Sequence, residues 1–291
     1  MKPSAFSYEA PSTVDETTAL LSERGDEAKV LAGGQSLVPM MNYRLARPGV
    51  VVDINGLTAL RYVDSDASEV RVGALARHSD MIASRGQGAI FDAFRKLGPH
   101  IGHEAIRNRG TLCGSLAHAD PAAEWCVMAQ ALDGIVVLES SKGAREVVAS
   151  DFFETVFTTA TRPEELVTAL RIPTLPESTG IGFQELARRT GDFAVVMAFA
   201  AVSVSDSRIA GCRIALGGMG SVPIRATGAE SMLVGAPMSD ESAVRSASSA
   251  ASVACDPSTD VHATADYRLR MAQVLTRRAL LDALSSVPNT N

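Results

Sequence analysis

Apolar and polar positions along this chain switch between a period of two and a period near 3.6, and the switches outline its elements. Residues 29–32 and 50–54 are short apolar runs of strand length, and residues 37–45 between them carry helical spacing. Together they predict a strand, loop, helix, strand unit near the N-terminus. Residues 70–74 predict a further strand, and 89–97 keep helical spacing until Gly98-Pro99 stops it. From 98 to 121 the periodicity fades, and the stretch reads as one long glycine-bearing loop. It holds His100, His103 and His118, together with Arg107 and Arg109. Loops of that length in a compact domain are functional or disordered.

Residues 121–132 predict a helix with Pro121 in its first turn and Asp120 as its cap. Strands are expected over 135–138 and over 165–172, the latter ending at Pro173. Pro, Gly and Ser cluster from Leu175 to Gly180, which marks a linker. The expected division is therefore a region over 1–176, with a small N-terminal part of about 1–55 and a larger part of about 56–176, followed by a domain over 177–291. In that second domain, strands over 183–186, 195–204 and 209–216 precede helices over 241–254 and 265–284. Strands followed by helices describe an α+β domain after an α/β region. Neither an internal repeat nor a low-complexity run is present.

Composition narrows the possible roles. A length of 291 residues agrees with about two domains. Lys plus Arg total 27 and Asp plus Glu 33, a net charge of −6, so no basic surplus exists to neutralise a phosphate backbone and nucleic acid is not an expected partner. Cys113, Cys126, Cys212 and Cys255 form no CxxC pair, which argues against a zinc site or an iron–sulfur cluster in this chain. They read as reduced thiols. No signal-like apolar run opens the chain, and its longest apolar stretch, near 193–204, is short of the ~18 residues of a membrane span. The expectation is a cytoplasmic protein without a membrane span. Aromatics are only 5% while glycines number 23, which hints at a ligand held by main chain.

Two loops carry candidate chemistry. Ala32-Gly33-Gly34-Gln35-Ser36 lies between a strand and a helix. Its glycines allow a sharp turn that exposes successive N–H groups, and the helix start adds positive potential, so a pyrophosphate could sit there. The same pattern also suits a plain strand-to-helix turn capped by Ser36. The second loop, Arg109-Gly110-Thr111-Leu112-Cys113-Gly114-Ser115, offers hydroxyls and amides at Thr111 to Ser115 for another phosphate. Beyond it, Asp120 or Glu124 could accept hydrogen bonds from sugar hydroxyls, or could simply complement a helix N-terminus. GxGxxG, GxxxxGK[ST] and GxSxG are all absent, and the His100, His103, His118 set lacks metal-ligand spacing.

Taken in order, the motifs resemble the flavin-binding medium subunits of molybdenum hydroxylases. The resemblance is carried by residues 32–41, by residues 106–115 from Ile106-Arg107-Asn108-Arg109-Gly110 onward, and by Ala117-His118-Ala119-Asp120-Pro121. Arg188-Arg189-Thr190-Gly191-Asp192-Phe193-Ala194 and Asp266-Tyr267-Arg268 extend it along nearly the whole chain. It implies a two-part FAD-binding region followed by a smaller α+β C-terminal domain. It further implies that Ala32 to Ser36 wrap the FAD pyrophosphate and that Thr111, Leu112, Cys113, Gly114 and Ser115 hold the phosphates and ribityl region from the other side. Glu124 would bond a sugar hydroxyl. Leu166, His118, Asp192 and Phe193 would lie near the flavin, with Ile101 as an apolar neighbour.

Two positions depart from the family pattern. Cys113 stands where a glycine is usual, so its backbone must do without positive φ or its side chain must face away from phosphate. Gln184 stands where relatives often carry a lysine, which removes a positive charge near the flavin. The resemblance implies an oxidoreductase subunit with FAD as cofactor and no catalytic acid or base of its own. Electrons would come from a small [2Fe-2S] subunit, substrate would be oxidised in a large molybdenum-cofactor subunit, and the whole would form a dimer of heterotrimers. The alternative is a stand-alone FAD oxidoreductase in which His118, Asp120 or Tyr267 acts on a substrate directly.

Overall fold

The computed structural model of the chain describes residues 2–288. Its N-terminal part is built on a parallel three-stranded sheet of β1 (Ser7–Glu9), β2 (Ala28–Leu31) and β3 (Val50–Asp53), with β3 in the middle. Helix α1 (Val14–Arg24) connects β1 to β2, and α2 (Leu37–Asn42) connects β2 to β3. The strand, loop, helix, strand unit is therefore present, while β1 and α1 carry little periodic signal. On α1 the buried positions are Thr17, Thr18 and Leu21. The threonine hydroxyls bond back to the carbonyls of Thr13 (2.8 Å) and Asp15 (3.1 Å), so polar residues occupy the inner face without orphaned groups.

An antiparallel sheet of five strands follows, in the order β4 (Val63–Ser65), β5 (Glu69–Gly73), β10 (Leu166–Pro173), β6 (Ile135–Ser140), β7 (Gly143–Val148). A small hairpin of β8 (Phe153–Thr155) and β9 (Thr158–Thr159) stands apart from it. The helices of this part are α3 (His78–Ile82), α4 (Ala89–Leu97), α5 (Glu104–Arg107), α6 (Leu112–His118), α7 (Glu124–Ala131) and α8 (Ala149–Phe152). The stretch expected to be one long loop thus contains α5 and α6. The helix expected from Pro121 begins at Glu124 instead, because Asp120 Oδ1 accepts from Ala122 N at 2.8 Å and closes a local turn around Pro121. Helix α7 is buried almost all round, which explains why it shows no polar face.

The C-terminal part is an antiparallel sheet, β11 (Thr179–Ala187), β12 (Ala194–Ser205), β13 (Arg208–Gly217) and β14 (Ile224–Arg225), with α9 (Thr227–Leu233), α10 (Glu241–Val253) and α11 (Ala265–Ser285). Side chains on β12 alternate between two cores. Val196, Ala198, Ala200 and Val202 pack with α10 and α11, whereas Met197, Phe199 and Ala201 join the core of the preceding region. Burial on both faces is why this strand reads as an unbroken apolar run. The architecture is an α/β region followed by a smaller α+β domain. Among the described residues no helix is long and apolar enough to cross a membrane.

Candidate functional site

A cavity of about 680 Å³ opens where the loop after β2, helices α6 and α7, and the segment between β11 and β12 converge. It falls within the size range of small-molecule and cofactor sites. Ala32, Gly33, Gly34, Gln35 and Ser36 line one side. Thr111, Cys113, Gly114 and Ser115 line another, with His118, Glu124 and Leu166 beyond them. Ile101, Asp192 and Phe193 complete the set. Two expected residues do not line it. Leu112 is wholly buried in the core, so its side chain is packing, and Gln184 sits half-buried on β11 opposite Ala198. Gly110 of the second loop also lines the cavity, as do His78 and Phe157, which the sequence does not single out.

The first loop is shaped by what its glycines lack. A Cβ on Gly33 would lie 2.5 Å from the carbonyl oxygen of Arg109 and 2.6 Å from the Cα of Gly110, so the two loops meet backbone on backbone. Gly34 has φ +70, a left-handed conformation that a β-branched residue resists. Ser36 occupies the N-cap position of α2, yet its side chain makes no capping bond. The reading in which Ser36 merely caps a helix is therefore not what the structure contains. Gln35 turns its amide back to the Gly33 carbonyl at 2.9 Å.

The second loop is held by side chains. Thr111 Oγ1 accepts from Gly114 N at 3.0 Å and caps α6, and a Cβ on Gly114 would come within 2.6 Å of that oxygen. Cys113 resolves the departure noted above. It lies in helical conformation without positive φ, and its Sγ points into the core, 3.6 Å from the carbonyl of Val72. Burial pushes its thiol up to about 12, so it stays a neutral packing group. The backbone of Cys113 is thus free to face the cavity while its side chain faces away.

Farther in, Glu124 at the start of α7 is buried, and its carboxyl is pushed up to about 8, first by burial and then by the nearby charges of Glu185 and Asp120. A neutral carboxyl can both donate and accept, which suits sugar hydroxyls better than a carboxylate that only accepts. Glu185 faces His100, with Oε1 3.8 Å from Nδ1, while its Oε2 is buried without a partner among the described residues. At the mouth, His118 stacks on Phe157 with centroids 4.8 Å apart, and burial lowers its pKa. Phe193, 68% exposed, forms a second ring at the rim beside the Asp192–Arg188 ion pair at 3.5 Å. Tyr267 lies on α11 and does not line this cavity.

The cavity thus brings together the main chain of two loops, the polar residues Ser36, Ser115 and Glu124, and the apolar Leu166 and Phe193. The sequence matches the FAD-binding domain of molybdopterin dehydrogenase over residues 4–175 and the C-terminal domain of CO dehydrogenase flavoprotein over residues 181–283. It is 36% identical to the alpha subunit of the 6-hydroxypseudooxynicotine dehydrogenase complex of Paenarthrobacter nicotinovorans, over 98% of this chain and 96% of that one. Identity to the nicotine 6-hydroxylase medium subunit of the same organism is 37%, over 97% and 99% of the two chains. The structure superposes with TM-score 0.94 and 35% identity on carbon monoxide dehydrogenase from Hydrogenophaga pseudoflava lacking the Mo-pyranopterin moiety, covering 99% of this chain and 100% of that chain. The chain therefore belongs to the family of FAD-binding medium subunits of molybdenum-containing hydroxylases, and FAD is its cofactor.

Proposed function

We propose that this chain relays electrons inside a heteromeric molybdenum hydroxylase, taking them from [2Fe-2S] clusters of a small partner subunit and passing them to an external acceptor. A large partner carrying the molybdenum cofactor would oxidise the substrate, and the assembly would be a dimer of heterotrimers. Bound FAD supplies the chemistry of this junction, exchanging electrons singly or in pairs. The chain's own residues bind and orient it. Ala32 to Ser36 and Thr111 to Ser115 hold the pyrophosphate from two sides through main-chain donors, Glu124 and Ser115 engage sugar hydroxyls, and Leu166, Ile101 and Phe193 border the ring. His118 and Phe157 close one edge of the mouth against water. This role asks for no catalytic acid or base. Four free thiols suit the reducing cytoplasm, which we take as the location.

The observation that carries the reading is the backbone contact of Gly33 with Arg109 and Gly110, which brings two amide-bearing loops together with no side chain between them. The test is purification of the native assembly through a tag on this chain alone. Co-purifying iron and molybdenum, with flavin reduced on adding substrate of the complex, is the expected result. A yellow monomer that turns over a small molecule unaided would establish the stand-alone oxidoreductase instead, with His118 and Asp120 as its candidate groups.

A further inference from the structure

Behind the second loop lies a buried pair that the roles above do not use. Trp125 Nε1, on α7, is 2.9 Å from Nδ1 of His78, the first residue of α3, and both side chains are buried. An indole N–H only donates, so Nδ1 is the acceptor. Burial, with help from Arg77 and Arg107, keeps the imidazole neutral, its pKa pushed down to about 4. The single ring proton therefore resides on Nε2. Among the described residues Nε2 has no hydrogen-bond partner, and His78 lines the cavity.

The position of that proton is informative. A Cβ on Gly110 would stand 2.5 Å from His78 Nε2, and Gly33 presses in turn on the Cα of Gly110. Trp125, His78, Gly110 and Gly33 thus form one contiguous column from the core to the first glycine loop. The nearby cations are engaged elsewhere. Arg77 donates to the Arg109 carbonyl and to Asn55 Oδ1, and Arg107 donates to the carbonyls of Ile101 and Gly102. Arg77, Arg107 and Arg109 do not line the cavity. The donor left facing the junction of the loops is a neutral N–H.

We infer that His78 is a ligand of the dinucleotide, its Nε2–H donating to a phosphate oxygen of the pyrophosphate, and that Trp125 is the positioning residue holding the ring in the donating tautomer. This rests on the reading of the two glycine loops as the pyrophosphate site. A fixed neutral donor strengthens a bond to an anionic oxygen without burying a second charge, and Trp125 removes the competing tautomer before the ligand arrives.

The full chain, stripped of flavin, is titrated with FAD and separately with riboflavin, which lacks phosphate. His78→Phe is expected to weaken FAD roughly tenfold to a hundredfold while riboflavin changes by less than about twofold, with His78→Gln recovering part of the loss through its own N–H. Trp125→Phe is expected to give a smaller loss and, in nitrogen-15 spectra of histidine-labelled protein, a mixture of imidazole tautomers. Phosphorus-31 resonances of bound FAD should move in His78→Gln. Equal losses for FAD and riboflavin, or unmoved phosphorus resonances with unchanged FAD affinity, would overturn the proposal. Should His78→Phe fail to fold, the wild-type nitrogen-15 spectrum decides: FAD must shift the Nε2–H proton downfield, and an unmoved signal refutes the assignment. Failure of the loop reading itself looks different, because Gly33→Val would then leave FAD affinity intact.

Discussion

The two loops that meet at the cavity achieve the same kind of surface by opposite means. Around Gly33 and Gly34 the chain leaves side chains out, and the geometry depends on what is missing. Around Thr111 to Ser115 it puts side chains in, with a buried threonine cap and with Cys113 and Leu112 anchored in the core. A phosphate-facing backbone can therefore be made by omission or by anchoring. The first rests on missing Cβ atoms alone, whereas the second, which also leaves one out at Gly114, depends on particular hydrogen bonds.

The sharpest way to break this contrast is Gly33→Val. Its branched side chain would collide with the backbone of Arg109 and Gly110, and we expect purified protein to retain less than about a tenth of its flavin, read from absorbance at visible wavelengths, with a stability loss of up to ~3 kcal/mol. Gly34→Val should cost about 1–3 kcal/mol in urea unfolding, because φ +70 strains a β-branched residue, and FAD should be lost with it. Gly34→Asn should keep much of both, since Asn enters the left-handed region readily. In the second loop Thr111→Val should cost only about 1 kcal/mol by the same measurement, with Thr111→Ser restoring it, as befits a helix cap. Equal costs in the two loops would dissolve the distinction.

A pH slope tests the groups behind the second loop. The folded chain holds a proton on Glu124 that an unfolded chain, with the carboxyl near 4.5, has lost, so this group's contribution to stability falls as pH rises from 4.5 to about 8. His78 acts the other way. Its folded pKa of about 4 lies below the ordinary 6.5, so its contribution rises over that interval. Up to pH 6.5 the two oppose, and above it the fall from Glu124 stands alone. Denaturant midpoints of flavin-free protein should lose that decline between pH 6.5 and 8 in Glu124→Gln, whereas His78→Gln should bring the decline forward to about pH 5.

The first loop was legible in sequence because an apolar strand, two adjacent glycines and a helical pattern announce their order locally. The second was only half legible. Helices α5 and α6 have four and seven residues, and Gly114 interrupts the pattern, so the segment read as loop. Asp120 resembled a helix cap because its side chain does bond the backbone two residues on, in a turn that precedes the helix. Gln184 is tied to the flavin by likeness alone, and on β11, opposite Ala198, it does not line the cavity. His78 gave no signal, since its meaning depends on Trp125, 47 positions away in the chain. Contacts of that kind are created by folding and leave no trace in spacing.

The alternation of β12 between two cores bears on how the molecule comes apart. A strand whose odd and even residues belong to different halves cannot leave one without tearing the other. Neither half should therefore melt as a separate unit, and heating should give one calorimetric peak in place of two. The slowest-exchanging amides should lie along β12 itself, close in sequence to Phe193, so that the rim of the cavity is hung from the last part of the protein to open.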